Sequence, residues 1–580
     1  GAVSGDTIMF DPLITDGIPI ALTSGEILID KSLVIIGNGA AQTSIAGSTS
    51  RIFNISAAGE VRLENLALVN GQSTGNGGAI ASSDTKLMLD NCLFSLNEAD
   101  SSGAAVYHQG DSLIVSNCQM IGNTAHGNAS TDGGGAIYHA GGVAMIQNNS
   151  EIRNNTADGS SGSGGGIFNG MNGELLVMDS RIVSNSAMRA GGGIEDNSGA
   201  GTMVTLTNVV LDSNATSMAP GNGGGFHITG PGDAMITGGT VNGNTASNQG
   251  GGVWNGTGLM TINQVSIENN LVTGGELTSG GGGIYNLGGE VRVMSSTIAE
   301  NECSGTDARG GGIFNPSSGI ISVSYSTISG NEVIGNGGGI SNAGEASLVA
   351  VSLINNQAGA EGGGILLTEM NATASISSSI IATNMGSSGV DLAAQAGTYT
   401  SVGYNLIGQD DANVFPEMSS DQEGMTAAPL DPMVEPLNDN GGGTRTHALM
   451  DGSPARDAGD PQNNDPDQRN AGVVNGQRDA GSYEYDGIIS SVENISQADF
   501  SHQLYPNPLR GRQLNLLLQG RAGTPIQVQI LELASGKTVY RTELQPGEHT
   551  VHLPKLTPGT FVVLLIQMDR IESHKLILLK

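Results

Sequence analysis

The sequence predicts an all-β protein: a parallel β-helix solenoid followed by a small antiparallel β-sandwich. Three observations carry that reading. A Gly-Gly-Gly triplet followed by a bulky apolar residue recurs as GGGAIY, GGGIFN, GGGIED, GGGFHI, GGGVWN, GGGIYN, GGGIFN, GGGISN and GGGILL. With two looser copies near Gly77 and Ser102 there are 11, and the apolar anchors from Ile80 to Ile365 lie 25 to 32 residues apart. A fixed period in that range is the mark of stacked repeats. Each repeat also carries a run of alternating apolar and polar residues that ends in Asn, as in LMLDNCLFSLN to Asn97 or VRVMSSTIAEN to Asn301. That alternation is the period of a strand, and no helical spacing is sustained anywhere in the repeats. Finally, composition and charge sign change near residue 490, which marks a second unit.

Residues 1–70 lack the triple glycine but alternate in strand fashion (EILIDKSLVIIGNG, RIFNISAAGEVRLENLALVNG), so they are predicted to form the cap and first coils. Residues 71–400 are the Gly-rich coils. Glycine serves the bends, which need positive φ and close backbone approach. The Asn residues at the recurring corner are predicted to stack and hydrogen-bond along the rod. Coils stack at about 4.8 Å, so 11 of them span about 50 Å. Residues 401–487 turn to Pro, Asp and Asn and are expected to complete or cap the solenoid. Residues 488–499 read as a linker. Residues 500–580 hold six strand-like runs (LNLLLQG, IQVQILEL, KTVYRTEL, HTVHLP, TFVVLLIQM and HKLILLK) joined by turns such as ASGK and TPGT.

Formal net charge is −33, unevenly spread. From Ser491 onward 7 acidic residues face 9 basic ones, leaving 48 against 13 before it, and no Lys occurs between Lys86 and Lys537. Such a surface repels nucleic acid and anionic membranes, which excludes nucleic-acid binding. The longest apolar run, FVVLLI at Phe561, is far too short to span a membrane as a helix. The opening GAVSGDTIMF reads as a processed or trimmed start. Three cysteines are too few for a disulfide scaffold. Cys92 and Cys118 each precede their repeat's Asn by five residues, so they are predicted to stack in adjacent coils within disulfide range, facing the core. Whether they are bonded stays open.

The residue after each apolar anchor is Tyr107, Tyr138, Phe168, Glu195, His227, Trp254, Tyr285 and Phe314, so six of the chain's 20 aromatic residues share one column. Alternation turns this column away from the anchors. It is either a stack that reinforces the rod or a flat strip on which a glycan lies, with Tyr107, Tyr138, Phe168, Trp254, Tyr285 and Phe314 as the ligand-binding set. Glu195 and Asp196, followed by His227, break the pattern. They read as drift at an exposed position rather than as a catalytic centre, because glycoside hydrolysis usually needs two carboxylates. His108 and His139 replace the stacked Asn and read as ladder members. DAGDPQNNDPDQRN has the Asp/Asn density of a Ca²⁺ loop without EF-hand spacing. It reads as a solvated loop, with Ca²⁺ between Asp457 and Asp467 as the alternative. No other metal or cofactor is expected. Arg445, His447, Arg456, Arg469 and Arg478, paired with Asp457, Asp467 and Asp479, are expected to pin their segment's fold.

The N-terminal stretch (SGDTIMFDP, TSGEILIDKSLVIIGNGA, RIFNISA) and the triple-glycine coils resemble bacterial right-handed parallel β-helix surface proteins. The pairing of GG-Ile with Phe94-x-x-Asn97 is similar to polymorphic outer-membrane-protein repeats, which serve adhesion. Residues 405–486 (NLIG, DPMV, NGGGTRTHAL, GSPARDAGD, DQRN, RDAGSYEY) resemble the choice-of-anchor Q segment, which implies display outside the cell but no chemistry. The last 80 residues resemble the C-terminal sorting domain of type IX secretion cargo, through Tyr505-Pro506-Asn507-Pro508, the ASGK turn, LTPGTFVV and the basic terminus with Lys575 and Lys580. That resemblance implies export through the outer membrane of a Gram-negative bacterium, with the secretion machinery and its outer-membrane shuttle as partners. The expected function is a structural, adhesive or glycan-binding rod at the cell surface, with a glycan or protein ligand. A polysaccharide lyase or glycoside hydrolase on the same scaffold is the alternative.

Overall fold

The computed structural model describes residues 2–485 except 13–16, 58, 317, 411, 412 and 475, then residue 487. Between 501 and 579 it describes 501–505, 509–510, 512–519, 526–532, 538–556, 559–567 and 570–579. Residues up to Glu423 wind into a parallel β-solenoid of about 14 turns, with no helix among the described residues.

One coil shows how the sequence builds the others. Ile80–Ser83 forms a first strand and Thr85–Asp90 a second, with the anchor Ile80 and then Leu87 and Leu89 turned inward. Asn91 then adopts φ 52°, a left-handed conformation that Asn tolerates better than most residues. The turn sends the chain into a third strand, Leu93–Ser95, whose Phe94 is buried. A second left-handed residue, Leu96 at φ 54°, leads through Asn97 to a short fourth strand, Glu98–Ala99. The next coil repeats each piece in parallel register, Ile80 on Val106, Leu87 on Leu113, Phe94 on Met120 and Ala99 on Ala125. Residues 1–70 obey the same rule: Ile8 sits on Ile35, Ile45 on Leu68 and Phe53 on Ile80.

The triple glycine closes each coil for two separate reasons. Gly281 has φ 66°, and a Cβ there would lie 2.3 Å from the Ile284 carbonyl oxygen. Gly282 has no unusual φ, but its Cβ would lie 2.4 Å from the carbonyl oxygen of Gly311, one coil on. Only glycine allows backbone to pack on backbone at that distance.

The Asn at the fourth-strand corner forms an unbroken buried ladder from Asn97 to Asn384. Each side-chain amide donates to the next coil's Asn Oδ1 at 2.8–3.0 Å, as from Asn97 to Asn123 and from Asn356 to Asn384.

Residues 401–487 begin inside the stack and end outside it. Thr398–Gly403, Leu406–Ile407 and Gln422–Glu423 still stack as the last coils. The chain then leaves the stack and runs back along the outer side of the third strands as a strap. Arg445 pairs with Glu268 at 2.9 Å and Glu300 at 2.8 Å. Gln468 and Ser482 bond Thr327, and His447 bonds Ser329 at 2.8 Å. Leu449, Ala455 and Ala480 of the strap pack on Ile354, Ile380, Ala382 and Leu406 of the coils. Inside the strap, the Asp467 carboxylate accepts from the Arg469 side chain and from the backbone N–H groups of Arg469, Ala471 and Glu484. Arg469 lies over Tyr483 at 3.5 Å and Arg456 over Tyr485 at 3.6 Å.

After it come two small sheets. One joins Ser501–Tyr505, Gln513–Gln519 and Gly547–His552, all antiparallel. The other joins Thr538–Leu544, Ile526–Glu532, Gly559–Gln567 and Arg570–Leu579 antiparallel, with Leu509–Arg510 parallel at its edge. Leu514, Leu516 and Leu518 of the first sheet share one apolar cluster with Val528, Ile530, Phe561 and Val563 of the second.

Candidate functional site

The aromatic column is where the sequence placed a ligand surface. Register confirms the column: Tyr107 pairs with Tyr138, Tyr138 with Phe168, Phe168 with Glu195, Glu195 with His227, His227 with Trp254, Trp254 with Tyr285 and Tyr285 with Phe314. Tyr107, Tyr138 and Phe168 stack with centroids 5.2 and 4.9 Å apart. His227 stacks on Trp254 at 4.2 Å, Trp254 lies parallel to Tyr285 at 5.9 Å, and Tyr285 meets Phe314 edge to face at 5.3 Å.

The column points away from the main core, as alternation requires, yet it is not a solvent-facing strip. Phe168, Trp254, Tyr285 and Phe314 are buried, with Trp254 only 6% exposed. Tyr107 and Tyr138 are partly buried. The segments between each fourth strand and the next glycine triplet fold over the rings, and the Trp254 indole N–H donates to Gln249 Oε1 of that segment at 3.0 Å. Under the same segments Ala246, Val272, Cys303, Ala308, Val333 and Ala358 form a second small core. A sugar needs an open ring face, and the four buried rings offer none, so of the two readings of the column this burial fits the stack that reinforces the rod, a buried spine. Trp254→Ala is therefore expected to lower rod stability by about 3–5 kcal/mol, the usual range for emptying a buried aromatic site. Denaturant unfolding of the rod measures it.

Glu195 and His227 are also buried, 1% and 3% exposed, which corrects their reading as an exposed position. His227 Nδ1 lies 2.8 Å from Glu195 Oε2, and Thr229 donates to Glu195 Oε1 at 2.5 Å. Asp196 faces the opposite side of the strand. It accepts from Asn169 and Ser198, both at 2.7 Å, and burial pushes its pKa up to about 6. The two neighbouring carboxylates thus serve different sides and do not form a catalytic pair.

Asp196 belongs to a column that runs His108, His139, Asn169, Asp196. His108 and His139 are completely buried, stacked at 5.4 Å, with their Nδ1 atoms 3.3 Å apart. Burial lowers their pKa values to about 4 and about 3, and for His139 the neighbouring His108 lowers it further. Unfolded imidazoles take up protons below about pH 6.5, whereas the folded pair does not until pH 3–4. The unfolded state therefore binds more protons in that window, and stability falls with falling pH. A His108→Asn/His139→Asn variant removes this loss. Between pH 7 and 4.5 the parent is expected to lose about 2 kcal/mol per imidazole more than the variant, in parallel chemical denaturations.

Cys92 and Cys118 stack in adjacent coils facing the core, 2% and 1% exposed, and both are free thiols. They occupy a column that holds Ser150, Ser180, Ser296, Ser326 and Ser379 in other coils and is interrupted by Val209, Gly239, Val265 and Val351. The Cys92 N–H donates to Cys118 Sγ at 3.4 Å, as the Cys118 N–H donates to Ser150 Oγ at 3.2 Å and the Ser296 N–H to Ser326 Oγ at 3.1 Å.

In the Asp457–Asp467 stretch, Asp467 is committed to Arg469 and three backbone N–H groups, and Asp465 accepts from the Tyr325 hydroxyl at 2.9 Å. Among the described residues no three His, Cys, Asp or Glu side chains are placed to hold a metal ion. Of the sorting motif, Tyr505 ends the strand Ser501–Tyr505 and Lys575 lies in Arg570–Leu579, whereas Pro506, Asn507, Pro508 and Lys580 fall outside the described residues.

Sequence reasoning missed the docking face of the strap, although a signal exists. The outward residues of the third strands are often charged in earlier coils (Glu151, Arg153, Arg181, Asp212) and mostly small under the strap (Thr297, Ala299, Thr327, Ser329, Ser352). Comparison with known protein families, with curated proteins and with solved structures gives no match for the chain.

Proposed function

We propose that the chain is an exported β-solenoid displayed at the cell surface, where it serves a structural or adhesive role, and that residues 500–580 direct its export. The observation that carries this is the division of labour between the units. In the solenoid the buried polar side chains are largely spent on ladders, on the strap and on the Glu195–His227 pair. The small two-sheet module carries the excess of positive charge and the YPNP-type motif. A rod held this way offers length and rigidity, and its acidic surface suits neutral glycans or protein partners. Binding to such ligands should change little with salt.

The test has two arms. Deleting residues 488–580 should leave a folded rod, read by far-ultraviolet circular dichroism and protease resistance, that stays inside the cell instead of reaching the surface. A truncated chain that still arrives there overturns the export role. A glycan array and a partner pull-down on purified residues 1–487 then test adhesion.

The hydrolase or lyase alternative rests on one observation, the hydrogen-bonded Glu195, His227 and Thr229. That group is sealed beneath a loop and supplies a single carboxylate. Reducing-sugar release by the rod that vanishes in Glu195→Gln would replace the binding reading with the enzymatic one.

A further inference from the structure

His227 has a second ring nitrogen, and the spine does not use it. Glu195 Oε2 accepts from Nδ1, so Nδ1 carries the proton, and in the neutral ring Nε2 is an acceptor. Nε2 is buried without a protein hydrogen-bond partner, and so is Asn222 Oδ1 of the same coil, on a residue 8% exposed. The next coil shows how these two positions relate. Asn222 is in register with Gln249 and His227 with Trp254, and there the indole N–H reaches Gln249 Oε1 directly at 3.0 Å. In the coil of His227 both partners are shorter. Asn lacks one methylene of Gln, about 1.5 Å of reach, and an imidazole extends less far than an indole. Both atoms are also acceptors, so they could not bond each other in this tautomer even at contact distance.

We infer that this coil binds one water molecule, which donates one proton to His227 Nε2 and the other to Asn222 Oδ1. A bridging water satisfies two buried acceptors at once, and polar sites of this kind are where proteins hold internal water. The result is a continuous buried chain: Thr229, Glu195, His227, water, Asn222. It links two strands of the spine to the segment Ser217–Asn222 that covers them. A carboxylate-oriented imidazole holding a water is also the arrangement of a general base. Here the covering segment keeps any polymer away, so the water fastens the loop instead of attacking a substrate.

The experiment is a high-resolution crystal structure of the full chain and of Asn222→Gln. The parent should show a single-atom density peak about 2.7–3.1 Å from both atoms. Asn222→Gln, with the reach of Gln249, should lose that peak and place its side-chain amide on Nε2. Hydrogen exchange keeps the idea testable if a variant does not crystallise. The Gly223 and Gly224 amides should exchange about tenfold faster in Asn222→Leu, the effect of one lost hydrogen bond, and near the parent rate in Asn222→Gln. Direct contact between Asn222 and His227 in the parent, density for a molecule larger than water, or equal exchange in both variants would each overturn the inference.

Discussion

Gly282→Ala is expected to be among the most damaging single methyl additions in the rod. Its Cβ would stand 2.4 Å from the Gly311 carbonyl oxygen and 2.9 Å from that of Glu302. All the crowding atoms are backbone, so no rotamer change relieves the contact. Two coils must move apart where Gly281 N–H and Gly282 N–H bond the Gly310 carbonyl at 3.0 and 3.2 Å. Overpacking costs about 1–3 kcal/mol, occasionally more, and the upper end is expected here, measured as a shift of the urea midpoint at unchanged slope. Gly275→Ala is the matched control. Its φ is ordinary and the nearest atom to an added Cβ is 3.4 Å away. Removing a glycine there should be neutral or stabilise by up to about 1 kcal/mol.

Asn301→Ala is the second large effect. The Asn301 amide donates to the Ile267 carbonyl at 2.9 Å and to Asn331 Oδ1 at 2.8 Å, and its Oδ1 accepts from Asn270 N and Nδ2 at 3.0 and 2.8 Å. Alanine strands the Asn270 N–H and one proton of the Asn270 side-chain amide, in a position with no exposed surface. Each unsatisfied buried group costs about 1–3 kcal/mol, so a loss of about 4 kcal/mol is expected. Apart from the strap, coils touch only their neighbours, so the damage should not reach the coils beyond the strap. Hydrogen exchange should show lost protection in the coils carrying Asn270, Asn301 and Asn331, with the coils around Asn97 and Asn123 unchanged. A uniform loss along the rod would mean that the solenoid unfolds as one unit.

Two periods made most of the solenoid legible in the sequence. Alternation within Leu87–Asp90 set which side chains face inward, and the recurrence from Ile80 to Ile365 set which residues stack. Together they put Cys92 beside Cys118, Tyr107 beside Tyr138 and Asn97 beside Asn123, each as the register has it. The same logic sent Trp254 and Glu195 away from the main core, which is correct; it left open whether Trp254 is covered, and it read Glu195 as exposed, which it is not.

Whether an outward column meets water depends on the segments that precede each glycine triplet. Those segments vary in length and carry no alternation, so nothing local shows that Gln249 folds back over Trp254. The strap is hidden for the same reason. Many of its contacts pair residues more than 100 positions apart, such as Arg445 with Glu268 and Ser482 with Thr327, and no repeat spacing relates them. The sequence by itself determined the strand, the coil and the stacked columns, because each is set by residues within one period and repeated until drift is averaged out. Only the tertiary structure decided what is buried outside the main core, since covering segments are placed by single, non-repeating contacts whose partners are brought together by the finished rod.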